Sequence, residues 1–280
     1  MSNEIPRREQ NFYKKSEVPG LREMTDQEYK NFVSGINSLP MDKIKGKHYD
    51  YWLPAAPGNY SQRKPGERKI LAVVIHTTEG WRPPFGTFRK PGRNASTHYS
   101  VEKDGSVVYM VDEKDVAWHA GTKVNDWSVG IEVTGFAVQD GKSSHTTNKE
   151  PIGLGMKQVN ALAKLVADIC RRNKIKINHK NIFGHAHTGG CKRDSYSSQQ
   201  VTPGNPALKG QGGGSGCHFD PGNQFPWNRF IRMVRWYYYR KYIWGAVGFA
   251  IFGFTGLAIY SLIQKLGSNK QPALPPPKQE

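Results

Sequence analysis

Six apolar residues in a row, Ile70 to Ile75 in "RKILAVVIHTTEG", run straight into a histidine. A run like this lacks the alternation of a half-exposed strand and fits a central strand covered on both faces. It constrains the chain more than any other stretch, because such a strand needs a packed layer above and below it. The remaining layers follow in order. "STHYSVEKDGSVVYMV" reads as a hairpin turning at Asp104-Gly105. "WSVGIEVTG" alternates Val129, Ile131 and Val133 with Gly130, Glu132 and Thr134, as a strand does. "MKQVNALAKLVADICRRN" repeats Val159, Leu162, Ala163, Val166, Ile169 and Cys170 at helical spacing. It closes on Arg171 and Arg172, which complement the negative end of a helix dipole. "NIFGH" is a short strand after that helix. Strands with interleaved helices predict an α/β domain built on a central mixed β-sheet flanked by helices.

The predicted domain spans residues 67–231, with 188–216, rich in Gly, Ser, Gln and Pro, as an inserted loop. Residues 1–66 are polar and basic. They hold one credible helix, "TDQEYKNFVSGI", with Thr25 and Glu28 in capping-box spacing, and otherwise read as a wrapping arm without a core of its own. Residues 232–241 form a basic juxtamembrane segment, and residues 242–264 contain no charged residue. A helix of about 22 residues reaches roughly 33 Å, enough to cross a bilayer core. Trp244, the tyrosines at 237–239 and Tyr260 stand near its edges as interfacial aromatics do. The expectation is a single transmembrane helix, a C-terminal anchor in a host or virion membrane, followed by a Pro-rich tail at 265–280.

"MSNEIPRREQNF" has no apolar h-region, so no cleavable signal peptide is expected. Arg232, Arg235, Arg240 and Lys241 precede the span closely, which by the positive-inside rule puts residues 1–241 in the cytoplasm. Ala246, Ala250 and Gly253 form a small-residue stripe through which the helix could pair into a homo-oligomer. The formal charge of +17 favours anionic partners: nucleic acid, lipid headgroups or cell-wall polymers. No base-reading motif is present, so no specific nucleic acid is expected as a partner. Cys170, Cys191 and Cys217 are too few for a disulfide scaffold, although Cys191 and Cys217 could pair in an oxidising compartment.

His76 ends the first buried strand, and His185 ends the strand after the long helix. Strand ends are where α/β sheets assemble sites. "GSGCHFDPG" places His218 and Asp220 just before a Pro-Gly turn. Asp-Pro-Gly is also ordinary turn chemistry, and each histidine read alone suits a packed core position. Two imidazoles and a carboxylate nevertheless make a three-ligand set that leaves zinc an open position.

"VVIHTTEG", "STHYSVEKDGSVVYMVDEKDVAWHAGT", "SVGIEVTG", "FGHAH" and "DPGNQFPW" come in the order seen in zinc N-acetylmuramoyl-L-alanine amidases. About residues 68–230 resemble that family, which includes recycling amidases, phage endolysins and peptidoglycan-recognition proteins. The resemblance implies the amidase/peptidoglycan-recognition fold and a zinc cleft cutting the bond between N-acetylmuramic acid and L-alanine. It implies His76, His185 and Asp220 as metal ligands and Glu132 as the water-activating carboxylate. It puts His218 where many relatives have a lysine facing the tetrahedral oxyanion, and an N–H-donating imidazole can serve there. His98, Trp118 and His119 match positions lining the cleft, where they pack or touch substrate, and Trp118 suits either a sugar face or a core. His187, two residues from His185, is the fallback ligand, because on a strand it would share that face.

The expected partners are therefore peptidoglycan and a lipid bilayer. An amidase with a C-terminal anchor and no signal peptide fits a phage or virion-associated lysin better than a secreted housekeeping enzyme. A cytosol-facing muropeptide-recycling amidase is the nearest alternative. Two other classes remain: a non-catalytic peptidoglycan-binding protein, and a structural membrane or virion component with a basic arm.

Overall fold

A computed structural model describes residues 48–63, 69–139, 142–143, 153–188, 218 and 220–240, with scattered positions between 12 and 27. The expected transmembrane helix at 242–264, the inserted loop, Cys191, Cys217 and most of the N-terminal helix lie outside them. Among the described residues no helix is long and apolar enough to cross a membrane. The chain divides into two units, Met1–Tyr238 and Tyr239–Glu280, and all that follows concerns the first.

Its centre is a six-stranded mixed sheet in the order β1-β5-β4-β7-β3-β10. The strands are β1 (Tyr51–Trp52), β3 (Ala72–Thr77), β4 (Tyr99–Val101), β5 (Val107–Tyr109), β7 (Ser128–Val133) and β10 (Ile182–Gly184). Only β4 and β5 run antiparallel, joined across Asp104-Gly105, where Gly105 takes φ +81 and the Asp104 carboxylate accepts from Ser106 N at 2.8 Å. The expected hairpin is thus present. Two-stranded ribbons, β2 (Tyr60–Gln62) with β6 (Asp115–Ala117) and β8 (Val138–Gln139) with β9 (Lys142–Ser143), lie outside the sheet.

β3 is buried along its whole length. Val73 and Ile75 face α3 (Met156–Arg172), whose Val159, Leu162, Ala163, Val166, Ile169 and Cys170 are all buried, the face read from helical spacing. Ala72 and Val74 face the other way, onto Val124, Trp127 and Phe183. The strand is shorter than the apolar run: Leu71 is 43% exposed, its N–H bonded to Trp127 O before the ladder begins. The short helices α1 (Phe85–Phe88) and α2 (Thr122–Asn125) sit in loops. A last helix, α4, runs from 227 to the end of this unit and buries Phe230, Ile231 and Val234 in the same core as α3.

The sheet extends beyond the boundary expected at residue 67, because β1 pairs in parallel with β5. The segment before it also reaches the core. Phe12, Tyr13, Val18 and Leu21 are buried, Phe12 N donates to Leu154 O at 2.8 Å, and the Arg229 guanidinium lies 5.4 Å over the Phe12 ring. A basic arm by composition, it contributes apolar side chains one at a time, which leaves no periodicity to read. Phe12→Ala should lower the unfolding free energy by about 3 kcal/mol in urea titrations, the usual cost of emptying a buried phenyl site. An unchanged midpoint would make this contact incidental.

Candidate active site

Three parallel strands carry the site. β3 and β7 pair with His76 beside Glu132, and β10 pairs with β3 up to Gly184 beside Ile75, so His185 emerges level with His76. Side chains two residues apart on a strand share a face. His76 and Glu132 therefore project on the side away from α3, at the C-terminal ends of their strands.

Asp220 arrives from far along the chain and is held by its neighbours' backbone. Ala186 N donates to Asp220 O at 3.1 Å, Val138 N to Pro221 O at 3.3 Å, and Gln224 N to Val138 O at 3.2 Å. Gly222 makes this fit possible: it takes φ +96, and a Cβ there would stand 2.1 Å from Val138 O.

The three expected ligands meet. Ligand atoms of His76, His185 and Asp220 all lie within 4.8 Å of one another, and all three residues are buried. His76 Nδ1 is 3.1 Å from Asp220 Oδ2 and His185 Nδ1 is 3.5 Å from Asp220 Oδ1. Burial, aided by His185, pushes His76 down to about 4 and so keeps the imidazole neutral, as a ligand requires. Burial works to raise Asp220, but the hydrogen bonds of His185 and His76 outweigh it and hold that carboxyl well below the usual range.

His218 stacks on His185 with centroids 3.8 Å apart and planes at 16°, its Nδ1 3.9 Å from Asp220 Oδ1. Its side chain is 49% exposed against 9% for Asp220, so it faces the opening of the site. Glu132 carries no cationic partner among the described residues, and its Oε2 is buried without a hydrogen bond. Burial, then Asp220, Glu79 and Glu102, raise its pKa well above the ordinary carboxylate value.

His187 does not join the cluster. Residues His185–Thr188 form a 3₁₀ turn rather than a strand, and two steps of such a turn rotate a side chain away from its starting face. Its Nδ1 accepts from Gly184 N at 3.2 Å and its ring packs against Trp227. His98 is fully buried: Nδ1 accepts from Gly130 N at 3.0 Å and Nε2 donates to Asp115 O at 3.3 Å. A ring so enclosed packs; the expected substrate contact does not suit it. Trp118 donates from Nε1 to Ser61 Oγ at 3.3 Å, tying β6 to β2. His119 is half-buried, with Nδ1 at 3.0 Å from His76 Nε2.

Sequence reasoning missed Glu79 and the cavity beside it. Glu79 adopts φ +51, and its Oε1 accepts from Thr77 Oγ1 and, at 3.1 Å, from Ala137 N. Burial pushes it up to about 7. A cavity of about 480 Å³ adjoins Glu132 and is lined by Thr77, Trp81, Arg82 and Arg93. The connection "EGWRPPFGTFRKPGR" carried the signal, a long inter-strand loop bearing aromatic and cationic residues.

The fold thus gathers at its strand ends a buried imidazole–carboxylate cluster with the donors to hold a metal ion, and a lone carboxylate beside it. The N-acetylmuramoyl-L-alanine amidase family model matches residues 66–205. The chain is 30% identical over 187 residues to N-acetylmuramoyl-L-alanine amidase A of Achromobacter lyticus, covering 65% of this chain and 92% of that protein. It is 27% identical over 180 residues to the amidase AmiD of Escherichia coli K12, covering 59% and 53% of the two chains. Among solved structures, AmpD as its Se-Met derivative aligns with a TM-score of 0.43 at 19% identity, over 70% of this chain and 99% of the other. The chain belongs to the N-acetylmuramoyl-L-alanine amidase family, and it is a peptidoglycan amidase by that membership. The family match ends at 205, before Asp220, which only folding brings to the two histidines.

Gly222→Ala should destabilise the protein by about 2 kcal/mol, the scale of a forced left-handed residue with a backbone clash. Thermal unfolding checks this, and wild-type stability would remove Gly222 from the account of how Asp220 is held.

Proposed function

We propose that the chain is a zinc-dependent hydrolase that cuts the amide between the lactyl group of N-acetylmuramic acid and L-alanine. The observation that carries this reading is the buried meeting of His76, His185 and Asp220 beside an unpartnered Glu132 oxygen. The donor set suits zinc: two nitrogens and a carboxylate, three protein ligands with room for one more. The surrounding charge suits a dication too, since Glu132, Glu79 and Asp220 repel one another without it. Zinc held by these three residues would polarise the scissile carbonyl and acidify water.

The chain's own groups do the rest. Glu132, projecting beside His76, accepts the proton of the attacking water and returns it to the leaving L-alanine nitrogen. His218, at the opening, donates an N–H to the oxygen that gains charge. Arg82 and Arg93 offer cationic groups to the carboxylates of the peptide stem from the adjoining cavity.

Membrane anchoring by residues 242–264 and carriage by a phage or virion belong to this proposal and rest on the uncharged run in the sequence. Protease treatment of intact spheroplasts tests the anchor: the amidase domain should be protected and residues from 267 onward cut. Digestion of the domain instead would reverse the orientation.

Glu132→Ala should retain zinc and fold and lose most release of L-alanine-terminated peptide from sacculi. His76→Ala, His185→Ala and Asp220→Ala should each lose zinc as well as activity, whereas His187→Ala should keep both. His218→Ala should cost about 2 to 4 kcal/mol in turnover with the metal still bound, the range for removing an oxyanion donor. Near-normal turnover in Glu132→Ala would overturn the mechanism, and metal analysis separates the two roles.

A further inference from the structure

One face of β7 carries more than the carboxylate. Its successive residues on the site side are Ser128, Gly130 and Glu132. Against the first two lies His119, from the turn after β6. The ring rests on Gly130 so closely that a Cβ there would stand 2.4 Å from His119 Cγ. The backbone beneath the ring is fixed as well: Asn125 Oδ1 accepts from His119 N at 3.1 Å and from Ala120 N at 2.7 Å. His119 Nε2 reaches Ser128 Oγ at 3.3 Å, and Nδ1 reaches His76 Nε2 at 3.0 Å.

The proton positions along this row follow from counting donors. A serine hydroxyl has one proton. Ser128 donates it to Val124 O at 2.7 Å, so toward His119 its oxygen only accepts. The proton in that contact is therefore on His119 Nε2. A neutral imidazole with Nε2–H has a bare Nδ1, which accepts. The proton between the two histidines then belongs to His76 Nε2. That leaves Nδ1 for the ligand cluster, where Asp220 Oδ2, 3.1 Å away, accepts from Nδ1–H until a metal takes its place, so this row describes His76 with the metal bound.

We infer that His119, backed by Ser128 and seated on Gly130, is a positioning residue that accepts from His76 Nε2 and so favours the tautomer in which Nδ1 ligates the metal. The inference rests on the zinc reading above and deepens it. A metal-ligating histidine that donates its second N–H to a held acceptor is both oriented and made more basic. Here the acceptor is a second imidazole, whose own tautomer is set by a strand serine. The role also explains why β7 has a glycine in the middle of its site-facing row. It moves His119 from the expected substrate contact to support behind a ligand.

The experiment uses the full chain, purified and stripped of zinc, with three readouts: ¹⁵N ring shifts of His76, zinc affinity by competition with a chromogenic chelator, and thermal stability of the zinc-free protein. On re-adding zinc, wild-type His76 should carry its proton at Nε2. His119→Leu, which has no acceptor, should weaken zinc binding about 10- to 100-fold, the usual effect of removing such a partner. His119→Gln, whose carbonyl can accept from His76 while its amide donates to Ser128, should recover most of that affinity. Ser128→Ala should weaken zinc binding in the same direction, and serves if His119→Leu fails to fold. Wild-type zinc affinity in His119→Leu, equal losses in the Leu and Gln variants, or a His76 Nε2 without its proton in the zinc-loaded wild type would each overturn the assignment. If the wild type itself binds no zinc the zinc reading falls, whereas the relay alone falls if it binds zinc and the His119 variants match it.

Discussion

The parallel register of three strands is the constraint on which the site depends. β3 and β7 lie side by side without offset at His76 and Glu132, and β10 continues so that His185 follows at the same level. Slipping any of these strands by one residue would turn its functional side chain to the opposite face, into the layer packed by α3. On β7 the alternation that opposes slipping also aims the site, while β3, apolar on both faces, takes its register from pairing with β7. Val73 and Ile75 on β3, with Val129, Ile131 and Val133 on β7, fix one face in the core. The intervening residues of both strands are then committed to the other. Core packing and site geometry are thus a single specification read on two sides of the sheet.

Much of this was legible because it is local. The apolar run, the Asp-Gly turn and the helical period of α3 each depend on near neighbours in sequence, and each appears where its pattern put it. What was not legible depends on distance or on one local conformational choice. His187 shares a face with His185 only on a strand, and the chain instead tightens into a 3₁₀ turn at that point. The N-terminal segment joins the core through isolated apolar residues with no period, so composition read it as an arm. Asp220 was visible as chemistry, yet its place beside His76 and His185 follows from backbone bonds to Ala186 and Val138 that no spacing announces.

Gly130 was a signal left unread. A glycine inside a strand weakens it and marks either a bulge or a close approach by another group. In "SVGIEV" the approaching group is an imidazole, and the next site-facing residue is the carboxylate. Glu79 is the opposite case. Its left-handed backbone and buried carboxyl are costs that its sequence context does not foretell.

The backbone bonds that flank Asp220 bear on what sort of binding site this is. In small metal-dependent domains the ligands are unordered until the ion arrives, and much of the binding free energy is consumed in folding the chain around it. Here the residues that present the carboxylate are fastened on one side to the turn after β10 and on the other to β8, through backbone groups outside the ligand cluster. His76 stands on a strand buried in the core, and His185 directly follows another. The ordering entropy of the third ligand is therefore met when the protein folds, before any ion binds. If the cluster holds zinc as proposed, it would release the ion and take it back as a rigid receptor does.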